Sequence, residues 1–229
     1  MNLLYFYINF GVLLVPFLFS FHPKIQFYKQ WKYFFPTVII VSMIFIIWDI
    51  RFTQLLVWGF NPIYIVGKYF YGLPIEEVLF FYAIPYSCLF TYYCFSLFVK
   101  KDILKTYEYI ITLLLIFLMS VLAILNYQKL YTVYTFSSLS VLLIYLRFFA
   151  KIEWLNRFYF TYLIILIPFV IVNGVLTGTG IDHPIVWYDN GENLGIRILT
   201  IPVEDIFYGM LLLLLNTTLY EFFTRKLNG

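Results

Sequence analysis

Long apolar segments alternate with short polar breaks along this chain of 229 residues. Seven apolar runs approach the roughly 20 residues that a membrane-spanning helix needs. They cover residues 3–21, 34–50, 75–98, 108–125, 131–149, 158–177 and 203–222. The pattern therefore predicts seven transmembrane helices. Because the first run lacks the basic flank and the small-residue cleavage site of a signal peptide, we expect it to stay in the protein as a helix.

Lysine and arginine are distributed unevenly between the breaks. Eleven of the 15 basic residues fall in every second break, beginning with the break after the first helix. Basic residues concentrate in cytoplasmic loops, so we expect a multi-pass protein of the cell membrane with its N-terminus outside and its C-terminus in the cytoplasm. Breaks 51–73 and 178–201 would then lie outside, and their length exceeds what a simple connection needs, which favours a functional role.

A short acidic motif occurs twice. LPIEEVLFFY at 73–82 returns as IPVEDIFYGM at 201–210, a shift of 128 residues. A proline and two acids align in the two copies, Pro74, Glu76 and Glu77 with Pro202, Glu204 and Asp205. The predicted fold is therefore an all-α membrane protein of seven transmembrane helices, in which two parallel three-helix repeats are joined by a central helix. We assign residues 1–106 to the first repeat, 107–126 to the linking helix and 127–229 to the second repeat.

The repeated acids are the candidate catalytic residues. Proline and acidic residues at a helix start have an ordinary structural explanation, but carboxylates inside a bilayer cost about 2.5–3.5 kcal/mol each and usually mark a function. We rank Glu77 and Glu204 first, and Glu76 and Asp205 second. Adjacent helical residues point about 100° apart, so we expect one acid of each pair to face the interior and the other to bind a backbone or basic partner. Arg51 and Arg197 lie on the side that could supply one.

Composition indicates a lipophilic ligand. Hydrophobic residues make up 63% of the chain, aromatic residues 24% and charged residues only 12%. A neutral acid in such surroundings can donate a proton, and an ionised acid nearby can accept one. Aromatic faces stabilise cations, although aromatic residues also simply fill membrane cores. The candidate substrate-binding residues are Trp48, Trp58, Trp187, Tyr208, Asn173 and Asn216, with Asp49 as a hydrogen-bonding support.

Several kinds of chemistry lack their sequence motifs. The chain has no G-x-G-x-x-G fingerprint and no phosphate-binding loop. It also lacks a pair of Asp-rich motifs and a lysine within the last apolar run. We therefore expect no cofactor and no metal. The net charge of +3 comes from scattered residues, which gives no support to nucleic-acid binding. Protonation of an alkene fits the chemistry that is left.

Three segments resemble the membrane lycopene cyclases of the heterodimeric bacterial type, and the whole chain looks like their fused single-chain form. These segments are GLPIEEVLFF (72–81), VNGVLTG (172–178) and LGIRILTIPVEDIFYGMLLLLLNTTLYE (194–221). The resemblance implies a redox-neutral isomerase of the intramolecular lyase kind, which closes the linear ψ-ends of lycopene into β-ionone rings. It implies a linear carotenoid as substrate, membrane lipid as surroundings, and other carotenoid enzymes as candidate partners. The second acid pair is Glu-Asp rather than Glu-Glu, so we expect the halves to differ.

Three alternatives stay open. A carotenoid end-group hydratase would add water to the same cation, and only its product separates it from a cyclase. A proton-coupled transporter also uses paired acids within the membrane, but it needs polar residues that continue to the other face, and helices 3 and 7 are almost wholly apolar there. A non-catalytic subunit of a pigment complex predicts that changing the acids alters assembly instead of product.

Overall fold

The structure is a computed structural model that describes residues 3–101 and 103–228, and seven long helices dominate this part of the chain. They are α1 (Leu4–Phe19), α2 (Trp31–Gln54), α3 (Ile75–Phe98), α4 (Glu108–Leu125), α5 (Leu130–Ile144), α6 (Leu155–Leu176) and α7 (Val203–Asn228). The predicted bounds of the third and fourth helices are reproduced, and the other ends shift by a few residues. A 3₁₀ turn, Phe27–Gln30, precedes α2, and a π-helical turn, Tyr145–Phe149, continues α5.

Six of these helices are long and apolar enough to cross a membrane, so the chain is a multi-pass membrane protein. The helix that falls short is α1, which has 16 residues. At about 1.5 Å per residue, such a helix is shorter than the roughly 30 Å hydrocarbon core. Six of the seven predicted spans are therefore supported, and a membrane crossing by α1 stays a prediction.

The helices α2, α3 and α7 form the centre of the bundle. They contact one another, while α1 packs on α3, α5 packs on α7 and on α4, and α6 packs on α3. Large side chains such as Phe45, Phe81, Phe136 and Leu214 are almost completely buried between them. Burial of a large apolar side chain is worth about 1.5–3 kcal/mol, so this core fixes how the helix ends meet.

Six short strands occupy the two long breaks. They are β1 (Trp58–Phe60), β2 (Tyr69–Phe70), β3 (Leu73–Pro74), β4 (Val186–Tyr188), β5 (Arg197–Ile198) and β6 (Ile201–Pro202). Strands β2 and β3 form one hairpin and β5 and β6 form another, while β1 pairs antiparallel with β4 across the two repeats. The prediction of a purely helical fold missed these strands, because two or three residues are too few to show an alternating pattern.

The strands extend the repeat well beyond the acidic motif. The strands and α3 of the first half have counterparts 128 residues later, while α5 and α6 start 126 and 124 residues after α1 and α2. The two hairpin turns share an unusual backbone. Tyr71 and Leu199 both have positive φ angles, of +49° and +56°. Gly59 lies opposite Trp187 in the β1–β4 pair. The backbone hydrogen bonds beyond the two ends of the pair are equivalent, from Asn61 N–H to the Ile185 carbonyl and from Asp189 N–H to the Val57 carbonyl. The two halves are therefore related by a pseudo-twofold axis that passes through this pair.

Candidate active site

The four acids of the repeated motif lie in the first turns of α3 and α7, directly after the two hairpins. Pro74 and Pro202 are the last residues of β3 and β6 and immediately precede these helices. A residue at a helix start has no intrahelical partner for its N–H, so proline is accommodated there. All four carboxyl groups are buried, with exposed fractions of 0% for Glu76 and Glu204, 9% for Glu77 and 4% for Asp205.

The first acid of each pair holds the loop that precedes its helix. The Oε1 atom of Glu76 accepts a hydrogen bond from the backbone N–H of Val66 at 2.5 Å. In the second half, Oε1 of Glu204 accepts one from the N–H of Leu194 at 2.7 Å. The Thr132 hydroxyl also donates to Glu204, at 2.6 Å. The first acids therefore bind backbone partners, one of the two kinds expected for the acid that faces away from the interior.

The second acid of each pair faces tyrosine hydroxyls. Tyr5, near the start of α1, donates to Oε2 of Glu77. Tyr131, near the start of α5, donates to Asp205 at 2.5 Å. Asp205 accepts two further hydrogen bonds, from the Asn173 amide at 2.7 Å and from the Tyr188 hydroxyl at 3.0 Å. Each second acid thus accepts a hydrogen bond from its own tyrosine, but Asp205 has more donors than Glu77.

Glu77 and Asp205 line one cavity of about 570 Å³ between α1, α3, α6 and α7. Glu76 and Glu204 are not among the residues that line it. On α3 the lining runs from Glu77 to Thr91, a length of about 21 Å along a helix. Apart from the acid end, the lining is mostly aliphatic and aromatic.

The cavity opens to the molecular surface between α1 and α6. Tyr7 on α1 and Ile171 on α6 both line it, and they are 61% and 66% exposed. On a membrane protein this side faces lipid, so an apolar molecule could enter the cavity without passing through water.

Four aromatic rings surround the acid end, those of Trp58, Tyr131, Tyr188 and Tyr208. The centroid of the Trp58 ring lies 5.1 Å from the ring centroid of Tyr131, 6.2 Å from that of Tyr188 and 6.1 Å from that of Tyr208. Burial, and then the Asp205 carboxylate, raise the pKa of the Tyr188 hydroxyl well above its ordinary value. Tyr188 is therefore a neutral hydrogen-bond donor. The rings offer π faces to a cation formed near the acids.

The structure brings some predicted site residues to the cavity and places others elsewhere. Those that line it are Trp58, Tyr208, Asn173 and Asp49. Trp48 packs behind it, against Phe45 and Tyr208. Trp187 lies over Gly59 in the β1–β4 pair. Asn216 is buried within α7, where its amide donates to the Leu212 carbonyl at 2.9 Å.

The two arginines suggested as partners of the acids make other bonds. Arg51 is exposed and lies 3.4 Å from Gln54 Oε1. Arg197 donates to the Thr200 carbonyl at 2.6 Å and to Asn190 at 2.8 Å. Instead of bonding to the arginines, the acids accept hydrogen bonds from neutral hydroxyl, amide and backbone N–H groups. A guanidinium stays charged and favours solvent over an apolar interior, which explains why these side chains remain in the loops.

The tyrosines Tyr5, Tyr131 and Tyr188 were missed by sequence reasoning. Among 22 tyrosines they carry no local motif. One signal was present: Tyr5 and Tyr131 lie 126 residues apart near the starts of two helices, close to the shift of the repeat. An alignment of the halves that allowed a small gap would have paired them.

These features define an integral membrane protein with buried carboxyl groups at one end of an apolar cavity. The sequence model of one protein family, described as Lycopene cyclase, matches residues 2–95 and 128–223. The two matched segments are the two repeats and cover most of the chain, so the protein belongs to the lycopene cyclase family. It is thus an enzyme of carotenoid cyclisation that acts on a linear carotenoid. No curated protein and no solved structure matches the chain.

Proposed function

We propose that this protein converts the ψ-ends of lycopene into β-ionone rings, with Glu77 as the acid and Asp205 as the base. The observation that carries this proposal is the different environment of two equivalent acids at the end of one apolar cavity. Asp205 accepts three hydrogen bonds, and donors of this kind stabilise an ionised carboxylate. For Glu77, the described part of the chain supplies one hydrogen bond, from Tyr5.

Ring closure then takes three steps without a change in oxidation state. The neutral Glu77 carboxyl group gives its proton to the terminal double bond of the ψ-end, and a tertiary carbocation forms. The next double bond within reach attacks this cation and closes a six-membered ring, which moves the positive charge into the ring. The Asp205 carboxylate removes a ring proton and leaves the β-ring double bond. One proton is added and one is lost, so the product is an isomer of the substrate.

The geometry of the cavity suits this substrate. A cation beside Trp58, Tyr131 and Tyr208 is stabilised by their faces, each worth about 0.5–2 kcal/mol. The cavity is about 21 Å long by the rise of α3, whereas a forty-carbon polyene is comparable to the roughly 30 Å bilayer core. One end of lycopene would therefore lie at the acids, while the rest passes through the opening between α1 and α6 into lipid.

We propose for the whole chain the placement that its charges indicate. The N-terminus lies outside the cell membrane and the C-terminus lies in the cytoplasm, so the acids face outward. Residues 1–106 and 127–229 act as two halves of one enzyme, with 107–126 as their link. Surrounding lipid supplies the substrate, and other carotenoid enzymes are candidate neighbours.

The test is pigment analysis of lycopene-accumulating bacteria that express the wild type, Glu77→Gln, Asp205→Asn or Glu221→Gln. Glu221 is a matched control, because it lies far along α7 and accepts a hydrogen bond from Tyr92 at 2.7 Å. General acids and bases contribute about 10²–10⁴-fold, so ring formation should fall by at least about 100-fold in the first two variants at equal membrane levels. The control should resemble the wild type.

Each other outcome is informative. Hydroxylated end groups in the wild type would identify a hydratase. A wild type that leaves lycopene unchanged would refute ring formation as the function. If the wild type makes rings and both acid variants do so equally well, the assignment of Glu77 and Asp205 is wrong.

A further inference from the structure

Asp49 is a third carboxyl group in the same cavity, and the mechanism above leaves it unused. It lies in the last two turns of α2, is 2% exposed, and lines the cavity together with Glu77 and Asp205. The Trp58 indole donates to its Oδ1 atom. Its Oδ2 atom is buried and has no hydrogen-bond partner in the described part of the chain. Buried polar atoms almost always have one. The Oε2 atoms of Glu76 and Glu204 are in the same state, but of these three residues only Asp49 lines the cavity, so its free oxygen calls for an explanation.

The second half of the molecule has a neutral residue, Asn173, near the end of the corresponding helix. Helix α6 is the counterpart of α2, and its last two turns carry Asn173. The Asn173 amide donates to Asp205, the acid of its own half. In the first half, Asp49 and Glu77 line the same cavity, and Asp49 interacts electrostatically with Glu77. A carboxyl group thus shares the cavity with the acid in one half, where an amide donates to the acid in the other.

The surroundings contain nothing that would neutralise two charges. None of the described residues that line the cavity is a lysine, an arginine or a histidine. The groups that face Asp49 and Glu77 from other elements are Tyr5 on α1, Tyr208 and Asp205 on α7, and Tyr188 on β4. These are neutral hydroxyls and another acid. Two interacting carboxyl groups without a cation favour a state in which one of them keeps its proton. Paired carboxyl groups in other acid catalysts share a proton in this way.

We propose that Asp49 shares a proton with Glu77 and reloads Glu77 after each ring closure. This inference rests on the proposed function. After one turnover Glu77 has lost a proton and Asp205 has gained one, so the site is reset only when one proton returns from Asp205 to Glu77. The free Oδ2 of Asp49 accepts that proton and passes it on, and the Tyr208 hydroxyl lies within electrostatic range of all three acids. No proton is consumed overall. Asp49 is therefore a positioning residue: it holds the returning proton close to Glu77 and does not itself react with the substrate.

The test compares Asp49→Asn, Asp49→Glu and Asp189→Asn in purified protein supplied with lycopene. Asparagine keeps the shape of Asp49 and the acceptor for Trp58, but it cannot hold an exchangeable acidic proton. Glutamate keeps the carboxyl group, and the adjoining cavity can take its extra methylene. Asp189 is the matched control, because its carboxylate caps the Gly191 N–H at 2.8 Å in an exposed turn.

The expected result separates proton holding from a structural role. In Asp49→Asn, kcat should fall by at least about 100-fold, while KM for lycopene stays within about twofold. Its melting temperature should be unchanged or higher, since replacing a buried acid without a cation partner by a neutral group is often neutral or stabilising. Asp49→Glu should recover kcat to within about tenfold of the wild type, and Asp189→Asn should match the wild type.

Two results would overturn the role of Asp49. One is an Asp49→Asn variant whose kcat lies within about threefold of the wild type. The other is an equal loss in Asp49→Asn and Asp49→Glu together with lower melting temperatures, which would make Asp49 a structural residue. Both leave the cyclase function intact, because the wild type and Asp189→Asn would still form rings. A wild type without ring formation would instead refute the proposed function itself.

Discussion

The different roles of the two acids in each pair predict different effects on ring formation for neighbouring substitutions in α7. Glu204 holds the backbone N–H of Leu194 and the Thr132 hydroxyl, at 2.7 Å and 2.6 Å. Hydrogen bonds to a charged group contribute about 1.5–3 kcal/mol each. Glu204→Ala should therefore destabilise the protein by about 3–6 kcal/mol. Glu204→Gln keeps an oxygen that can accept both bonds and loses only the charge, so it should cost about 1–2 kcal/mol.

Thermal unfolding in detergent, followed by circular dichroism, measures these losses. For a chain of 150–250 residues each kcal/mol corresponds to about 2–4 °C. The melting temperature should fall by about 6–24 °C in Glu204→Ala and by about 2–8 °C in Glu204→Gln. Ring formation per folded molecule in Glu204→Gln should stay within about threefold of the wild type. Asp205→Asn should instead lose ring formation. Its melting temperature should also fall by at least about 2–8 °C, because one of the two oxygens that accept from Tyr131, Asn173 and Tyr188 becomes a donor.

The reasoning would be refuted by a Glu204→Gln variant that forms no rings but melts and inserts like the wild type. Its carboxyl group would then take part in the chemistry, in agreement with the ranking that sequence analysis gave it. Glu76→Gln provides an independent comparison, since Glu76 holds the Val66 N–H in the same way at 2.5 Å.

Two further substitutions test the cavity and the turns. Gly11 lines the cavity, and a Cβ added there would meet no atom within 4 Å. The ring of Gly11→Phe should therefore project into the substrate space and raise KM for lycopene by about tenfold, while Leu14→Phe on the exposed face of α1 should leave KM unchanged. An unchanged KM in Gly11→Phe would show that the substrate binds elsewhere. Leu199 has a φ angle of +56° and is 67% exposed. A left-handed conformation costs an L-residue about 1–2 kcal/mol, and glycine loses about 0.5–1 kcal/mol of this gain to its greater conformational entropy. Leu199→Gly should therefore raise the melting temperature by about 1–4 °C, and Ile198→Gly should lower it. A lower value in Leu199→Gly would contradict this account of the turn.

Much of the fold could be read from the sequence because membrane helices leave a strong signal. Each is a long apolar run, and the motif of Glu76 and Glu77 marks the start of α3 to the residue. The repeat was visible for the same reason, since a proline and two acids are rare together at a membrane helix start. The short strands were not visible. Their pairing, such as that of Gly59 with Trp187, joins residues far apart in sequence.

The site was predictable in its components but not in its geometry. The sequence indicated that the two acids of a pair face different environments, and the structure shows this division. It could not indicate that Glu77 and Asp205 line the cavity, because the phase of a helix at its first turn depends on the hairpin before it. The partners Tyr5, Tyr131 and Tyr188 come from three other elements, and their selection from 22 tyrosines is a matter of tertiary packing.

The linking helix α4 allows both halves of the chain to start at the same end of the bundle. Each half consists of three helices, so a chain that starts a half at one end of the bundle finishes it at the opposite end. A second half joined directly to the first would run upside down, and its acids would lie at the far end from Glu77. One additional helix, Glu108–Leu125, returns the chain to the end of the bundle where it started. Any chain that fuses two such halves must carry an odd number of extra helices between them, whereas two separate halves would need none.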